Sequence, residues 1–162
     1  MRFIHLLLIL CLSSLTYAAD NFDFSGKSTF PELRDAYLNL NKRYGYCMDQ
    51  RKRPLKPIKN AWLTSLSKKD KGVVLMKLND IAFNRCVKTE TTKFNDALVE
   101  YTIETQNFEA IETWVSLNKP FKPEESQAAL KKLDQNEIEK LSHYPELYAP
   151  FSPIEAVKMI TK

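Results

Sequence analysis

Cysteines, a histidine and paired carboxylates are the residues of this 162-residue chain that could do chemistry. Cys11 lies in an apolar N-terminal run, which leaves Cys47 and Cys86 in the rest of the chain. In an oxidising compartment two cysteines favour one disulfide over two free thiols. Closing a loop of about 40 residues would stabilise the fold by roughly 4 kcal/mol if the gain comes from chain entropy. We therefore predict a structural bond between Cys47 and Cys86.

The sequence contains few histidines that could act in catalysis or bind a metal. Of the 2 histidines, His5 lies in the N-terminal run, so His143 is the one that remains. A zinc site made of several imidazoles is not expected, and oxidised cysteines would supply no thiolate ligands. A nucleophilic serine would need His143 as its base, and no Gly-x-Ser-x-Gly elbow occurs in the sequence. We predict no metal and no cofactor, and we interpret His143 as a surface or packing residue.

Pairs of glutamates could hydrolyse glycosides, a reaction that needs two carboxyl groups about 5–9.5 Å apart across a sugar cleft. The candidates by spacing alone are Glu100 with Glu104, Glu109 with Glu112, and Glu137 with Glu139. All of them fall in predicted helices, where acids at such intervals usually form a solvated face. A small exported hydrolase acting on cell wall or lipid, with Glu100, Glu104 or His143 in its site, is the alternative function.

Residues 1–18 have the pattern of a secretory signal peptide. Arg2 provides the positive start, and an apolar run of about 13 residues follows it before small side chains at Thr16 and Ala18. That run is shorter than the about 20 apolar residues needed to span a bilayer, and we expect no transmembrane segment in the mature chain. We predict a leader over 1–18, a single helical domain over 19–162, and a periplasmic or secreted location, in a bacterium or a eukaryote.

Helical periodicity dominates the rest of the chain. Apolar residues recur three and four apart, and capping boxes begin at Thr29, Ser67, Asp134 and Ser152. Strict alternation of apolar and polar residues over a strand length is almost absent. Disorder is not expected in a chain with 44% hydrophobic and 11% aromatic residues. The sequence predicts an all-α fold, a compact bundle of six to eight helices with one disulfide.

Local patterns predict several boundaries within this bundle. We expect a short helix through Ile58, Trp62 and Leu66, a polar break at residues 88–92, and a turn at residues 105–107. The disulfide would then join the end of the first helix to the end of the third. Residues 143–151 should form an aromatic and proline-rich loop that packs on the body. The last helix should turn Ile154, Val157 and Ile160 inward.

Charge is divided unevenly between the two halves of the chain. Residues 19–93 contain 16 Lys and Arg against 8 acids, whereas residues 94–162 contain 7 against 12. The densest cationic element is the connector (residues 51–59), whose cations are Arg51, Lys52, Arg53, Lys56 and Lys59. Such a segment could attract an anionic partner by electrostatic steering.

These features together predict an exported, non-catalytic binding protein. It would hold a protein partner with an acidic surface, as an immunity or inhibitor protein or an adaptor does, and the connector would be its binding surface. Anionic lipid and cell-wall polymer are the other anionic partners that a protein in this location could meet. Nucleic acid is not expected, because no recognised nucleic-acid-binding module occurs in the sequence.

Overall fold

The structure is a computed structural model that describes residues 23–24, 30–119 and 124–161. Those residues form eight helices and one pair of two-residue strands. The helices are α1 (Pro31–Gln50), α2 (Ala61–Ser65), α3 (Lys68–Thr105), α4 (Glu109–Leu117), α5 (Glu124–Lys131), α6 (Gln135–Ser142), α7 (Pro145–Tyr148) and α8 (Pro153–Met159). The strands β1 (Ile58–Lys59) and β2 (Ile160–Thr161) pair in parallel, with Ile58 opposite Ile160. The predicted all-α bundle is confirmed.

Three of the four predicted capping boxes begin helices. The side chains of Ser67, Asp134 and Ser152 each accept a hydrogen bond from a backbone N–H two or three residues later, at the starts of α3, α6 and α8. Each such cap contributes about 1 kcal/mol. The fourth prediction is wrong, because the N-cap of α1 is Phe30, which makes no side-chain cap. Pro31 starts that helix instead, since its fixed φ suits the first helical position. Thr29 lies outside the described residues.

The longest helix, α3, is continuous over 38 residues, about 57 Å at a rise of 1.5 Å per residue. The polar break predicted at residues 88–92 is wrong, since those residues are helical. Val87 and Phe94 on either side of them are buried. Packing of the flanking turns holds the polar stretch in the helix, because packing stabilises helices more than intrinsic propensity does.

A first core lies between α1 and the C-terminal half of α3. The ring centroids of Tyr37 and Phe94 are 5.8 Å apart, and those of Tyr44 and Phe83 are 5.3 Å apart. Since residue numbers rise along α1 as they fall along α3, the two helices are antiparallel. The buried members of this core are Phe24, Leu33, Leu40, Phe94, Ala97, Leu98, Tyr101 and Ala110.

A second core surrounds the N-terminal half of α3. It brings the β1–α2 segment together with the C-terminal helices, which are far away in sequence. Its buried members are Ile58, Leu63, Val74, Leu75, Leu78, Ile138, Leu141, Leu147, Phe151 and Ala156. One buried polar contact crosses it: the backbone N–H of Phe151 donates to Oδ1 of Asn79 at 3.2 Å.

The disulfide joins α1 to α3 between these two cores. Cys47 and Cys86 are bonded, with their Cα atoms 6.1 Å apart, and Cys47 is fully buried. The predicted pairing is confirmed. Its predicted place at the end of a helix is wrong for Cys86, which lies in the middle of α3 because that helix continues past residues 88–92.

Other local predictions had mixed outcomes. Ile58 belongs to β1, because α2 begins only after Asn60, whose side chain caps it. The predicted turn at residues 105–107 is confirmed, and Gln106 there adopts a left-handed backbone with φ of 55°. Ile154 is 73% exposed, so the inward orientation predicted for it is wrong, and Ala156 is buried in its place.

The segment of residues 143–151 packs on the body as predicted, although it is not entirely loop. It contains the single turn of α7, and Leu147, Pro150 and Phe151 are buried. None of the helices in the described ranges is both long and apolar enough to cross a membrane.

Candidate functional site

The cations of the connector differ in how the fold uses them. Lys52, Lys56 and Lys59 are exposed and Arg51 is half-buried, with its Nη1 3.8 Å from the Met48 sulfur. Lys52 also pairs with Asp49 at 2.7 Å. The hydrogen bond that Lys52 donates to the Asp49 carboxylate, together with the charge of that carboxylate, raises the pKa of Lys52. The three lysines therefore present positive charge to solvent.

Arg53 is the exception in the connector, because its guanidinium is occupied by the protein itself. It donates hydrogen bonds to the backbone carbonyls of Glu146, Ala149 and Pro150, and Nη1 lies 3.7 Å from the Glu146 carboxylate. The same carboxylate accepts a hydrogen bond from the Lys56 backbone N–H at 3.1 Å. Arg53 thus fastens the connector to the C-terminal end of α7, where unpaired carbonyls favour a cation.

A second arginine, Arg85 of α3, also binds this part of the chain. Its Nη1 donates to the carbonyls of Ser142 and Tyr148, at 3.1 and 3.0 Å. Its guanidinium carbon also lies 4.1 Å from the centre of the Tyr148 ring, a cation–π arrangement. Tyr148 is 49% exposed, so part of it remains accessible to solvent beside the arginine.

An equivalent pair lies on α1. The Nε of Arg43 donates to the Cys86 carbonyl at 2.8 Å, and its guanidinium carbon lies 4.8 Å from the centre of the Tyr46 ring. Glu90 approaches the same Nε at 3.9 Å. Tyr46 is 51% exposed. Spacing of three residues on a helix places Arg43 and Tyr46 on one face.

The two arginine–tyrosine pairs line a shallow groove of about 230 Å³ next to the disulfide. We call it the arginine–tyrosine groove, defined by Arg43, Tyr46, Arg85 and Tyr148. It meets the connector, because Gln50, Ala149 and Pro150 also line it and Arg53 binds the last two. A neighbouring groove of about 780 Å³ between α1 and α3 shares Arg43 and Tyr46.

The groove can bind an anionic group. Arg43 and Arg85 use only some of their five N–H donors within the fold, and an arginine fork suits a carboxylate. Both guanidinium groups are fixed by carbonyls and by aromatic rings, so little side-chain freedom is lost when a ligand binds. The exposed tyrosine rings add apolar area beside the charges.

The glutamates considered for glycoside hydrolysis do not share a cleft with His143. Glu100, Glu104, Glu109 and Glu112 are exposed on α3 and α4. Arg85 bonds to the carbonyl of Ser142, next to His143, whereas Glu100 lies fifteen residues farther along α3, about 22 Å by helix rise.

The remaining candidate pair is engaged within α6. Glu137 binds Lys140 at 2.7 Å and raises the pKa of that lysine, mainly through the hydrogen bond. Glu139 approaches the His143 ring at 3.1 Å. In the described part of the chain, no three His, Cys, Asp or Glu side chains are grouped so that they could hold a metal ion.

The residues of the arginine–tyrosine groove were not predicted as a site from the sequence. The Arg43–Tyr46 pair could have been found from its spacing on one helix. Arg85 and Tyr148 are 63 residues apart in sequence, and no local pattern connects them. Comparisons with family models, with curated proteins and with solved structures find no match for this chain.

Proposed function

We propose that the chain is a non-catalytic binding protein that acts outside the cytoplasm, in the periplasm or after secretion. It holds a protein partner with an acidic surface, as an immunity or inhibitor protein or an adaptor does. The observation that carries the proposal is the arginine–tyrosine groove, with two guanidinium groups fixed beside two half-exposed tyrosine rings.

Arginine and tyrosine are the residue types expected at the energetic centre of a protein interface. Both are enriched among residues whose truncation costs most binding energy. Here the arginines are already ordered by the Cys86, Ser142 and Tyr148 carbonyls. The groove would receive acidic side chains of the partner, and the tyrosine rings would bury apolar area around them.

The connector has a supporting role in this proposal. Its exposed lysines, Lys52, Lys56 and Lys59, and the half-buried Arg51 belong to the segment that Arg53 joins to Ala149 and Pro150 of the groove. These cations would raise the positive potential on that side of the protein. Charges at the rim of an interface act mainly on the association rate and on its salt dependence. Arg53 holds the connector on α7 and so positions these cations.

The disulfide supports a location outside the cytoplasm. Such bonds persist in oxidising compartments and are rare where thiols are kept reduced. The leader predicted over residues 1–18 lies outside the described residues, and export remains part of the proposal.

Affinity capture from an extracellular or periplasmic extract of the native host tests the groove. The immobilised full chain is compared with Y46S/Y148S and with M76S/I154S, a control that removes two exposed apolar side chains elsewhere. We expect the wild type and the control to retain an acidic protein. The amount retained by Y46S/Y148S should be lower by at least about tenfold. Equal retention by all three chains would contradict the proposal.

Association kinetics with the captured protein test the connector. The variant K52E/K56E/K59E should associate at least about tenfold more slowly at low salt, and high salt should remove the difference. The control K119E/K131E/K132E changes the net charge equally at exposed positions away from the groove. If both variants slow association to the same degree, net charge rather than the connector sets the rate.

A further inference from the structure

The end of the molecule formed by the last turns of α3 and by α4 is strongly acidic. Residues 94–118 include no Lys, Arg or His. Its five acids, all exposed, are Asp96, Glu100, Glu104, Glu109 and Glu112. Within the described ranges, none of these carboxylates lies at ion-pair distance from a cation.

Helix stability does not account for Glu100 and Glu104, whereas Glu109 and Glu112 lie in the first turn of α4, where the helix dipole favours acids. The C-terminus of a helix carries partial negative charge, so a nearby carboxylate is unfavourable and a cation is favourable. Glu104 lies in the last turn of α3 and Glu100 just before it, and that turn contains no basic residue. A cation brought by another molecule would relieve this repulsion.

Large apolar side chains are exposed among the same acids. Val99 and Ile103 lie four apart on α3 and are 48% and 65% exposed. Phe108 and Val115 lie seven apart along the start and body of α4 and are 59% and 55% exposed. Together they expose on the order of 400 Å² of residue surface on two helices that contact each other, and exposed apolar surface of this extent on a monomer is often functional where it is contiguous.

Helical spacing places acids next to each of these apolar side chains. Glu100 precedes Ile103 by three residues, and Glu112 lies four after Phe108 and three before Val115, so they are neighbours on the helix surface. Asp96 stands in the same relation to Val99. We call this set the acid-rimmed face, defined by Val99, Ile103, Phe108 and Val115 with Asp96, Glu100 and Glu112.

We infer that the acid-rimmed face binds a cationic amphipathic helix of a partner protein. Apolar side chains repeating every three or four residues on such a helix would cover the exposed apolar residues, and its Lys and Arg would meet the surrounding carboxylates. An anionic lipid surface would be repelled by the same acids. A second copy meeting this face symmetrically would place acids against acids. The face is separate from the arginine–tyrosine groove, and the inference does not depend on the function proposed for that groove.

A synthetic helix is the probe. A fluorescent Leu/Lys amphipathic peptide of about 18 residues, long enough to form a helix on binding, is titrated with the full chain and followed by anisotropy. A scrambled peptide of the same composition and a Leu/Glu amphipathic peptide serve as comparisons. We expect micromolar binding of the Leu/Lys helix, at least about tenfold weaker binding of the scrambled peptide, and none of the Leu/Glu helix.

Variants locate the binding to the face. I103N/F108N and E100K/E112K should each weaken the Leu/Lys helix at least about tenfold, with unchanged circular dichroism showing that the fold is retained. I154N on α8 and E124K/E125K on α5 replace equally exposed groups elsewhere and should leave the dissociation constant within about twofold.

Three results would overturn the inference. They are equal binding of the scrambled peptide, unchanged binding by I103N/F108N, and a concentration-dependent dimer in sedimentation that F108N abolishes. The last result would show that a second copy of this chain covers the face.

Discussion

Replacing Arg53 with alanine should lower the free energy of unfolding by about 2–4 kcal/mol. Its guanidinium donates to three backbone carbonyls, pairs with Glu146, and belongs to a side chain that is only 23% exposed. One hydrogen bond involving a charged group contributes about 1.5–3 kcal/mol, and truncation leaves the acceptors unpaired. The total stays below three such contributions, because water reaches part of the site once the side chain is gone.

Urea unfolding followed by far-UV circular dichroism measures this loss. R53A should lower the midpoint with little change in the slope, since the unfolded chain exposes similar surface. R53K keeps the charge but lacks the fork that bonds several carbonyls, so most of the loss should remain. R51A is the matched control, and because its guanidinium contacts only the Met48 sulfur at 3.8 Å among the described hydrogen bonds, it should cost less than about 0.5 kcal/mol.

A loss for R53A no larger than that for R51A would refute this reasoning. The carbonyl contacts would then contribute nothing to holding residues 146–150, and Arg53 would be free to serve a partner, the role proposed for the other connector cations. A loss in the expected range for R53A, with an R51A chain that is as stable as the wild type but associates more slowly with the partner, would separate the cation that supports the fold from those that steer association.

Three further changes test the disulfide, the first core and the turn after α3. C47A/C86A should lower the free energy of unfolding in urea by about 4 kcal/mol. A reductant should lower the unfolding midpoint of the wild type but not that of the variant. Identical midpoints for the variant and the oxidised wild type would contradict this. Phe94→Ala should lower the free energy of unfolding by about 3–5 kcal/mol, whereas V99A on the exposed side of α3 should lower it by less than about 1 kcal/mol. Similar losses for the two variants would argue against the core assignment. Gln106→Gly should raise the melting temperature, because a left-handed backbone costs about 1 kcal/mol for a residue with a Cβ. A lower melting temperature would mean that the hydrogen bond from the Gln106 side chain to the helix end outweighs that strain.

Features set by neighbouring residues were predictable from the sequence. The side-chain caps at Ser67, Asp134 and Ser152 depend on atoms two or three residues away, so a short pattern contains all the necessary information. The disulfide followed from the number of cysteines outside the apolar N-terminal run. The all-α class followed from apolar spacing that every helix must show.

Features set by distant residues were not predictable in the same way. The stretch at residues 88–92 has weak helical propensity, and it remains helical because Val87 and Phe94 are packed on either side. Arg53 looked like another exposed connector cation, but its carbonyl partners lie 93 to 97 residues later. The groove depends on Arg85 meeting Tyr148, a contact that only the folded chain creates.

The last buried residue of the first core lies much earlier in the sequence than that of the second core. This difference sets the order in which the two cores can form during synthesis. The first core needs nothing beyond Ala110 among its buried residues, so α1 can pack, and its cysteine can find Cys86, while the last third of the protein is still being made. The second core must wait for residues as late as Ala156. Until then Val74, Leu75 and Leu78 of α3 are the core partners available to the Ile58–Leu63 segment, and the nascent chain leaves part of its apolar surface exposed.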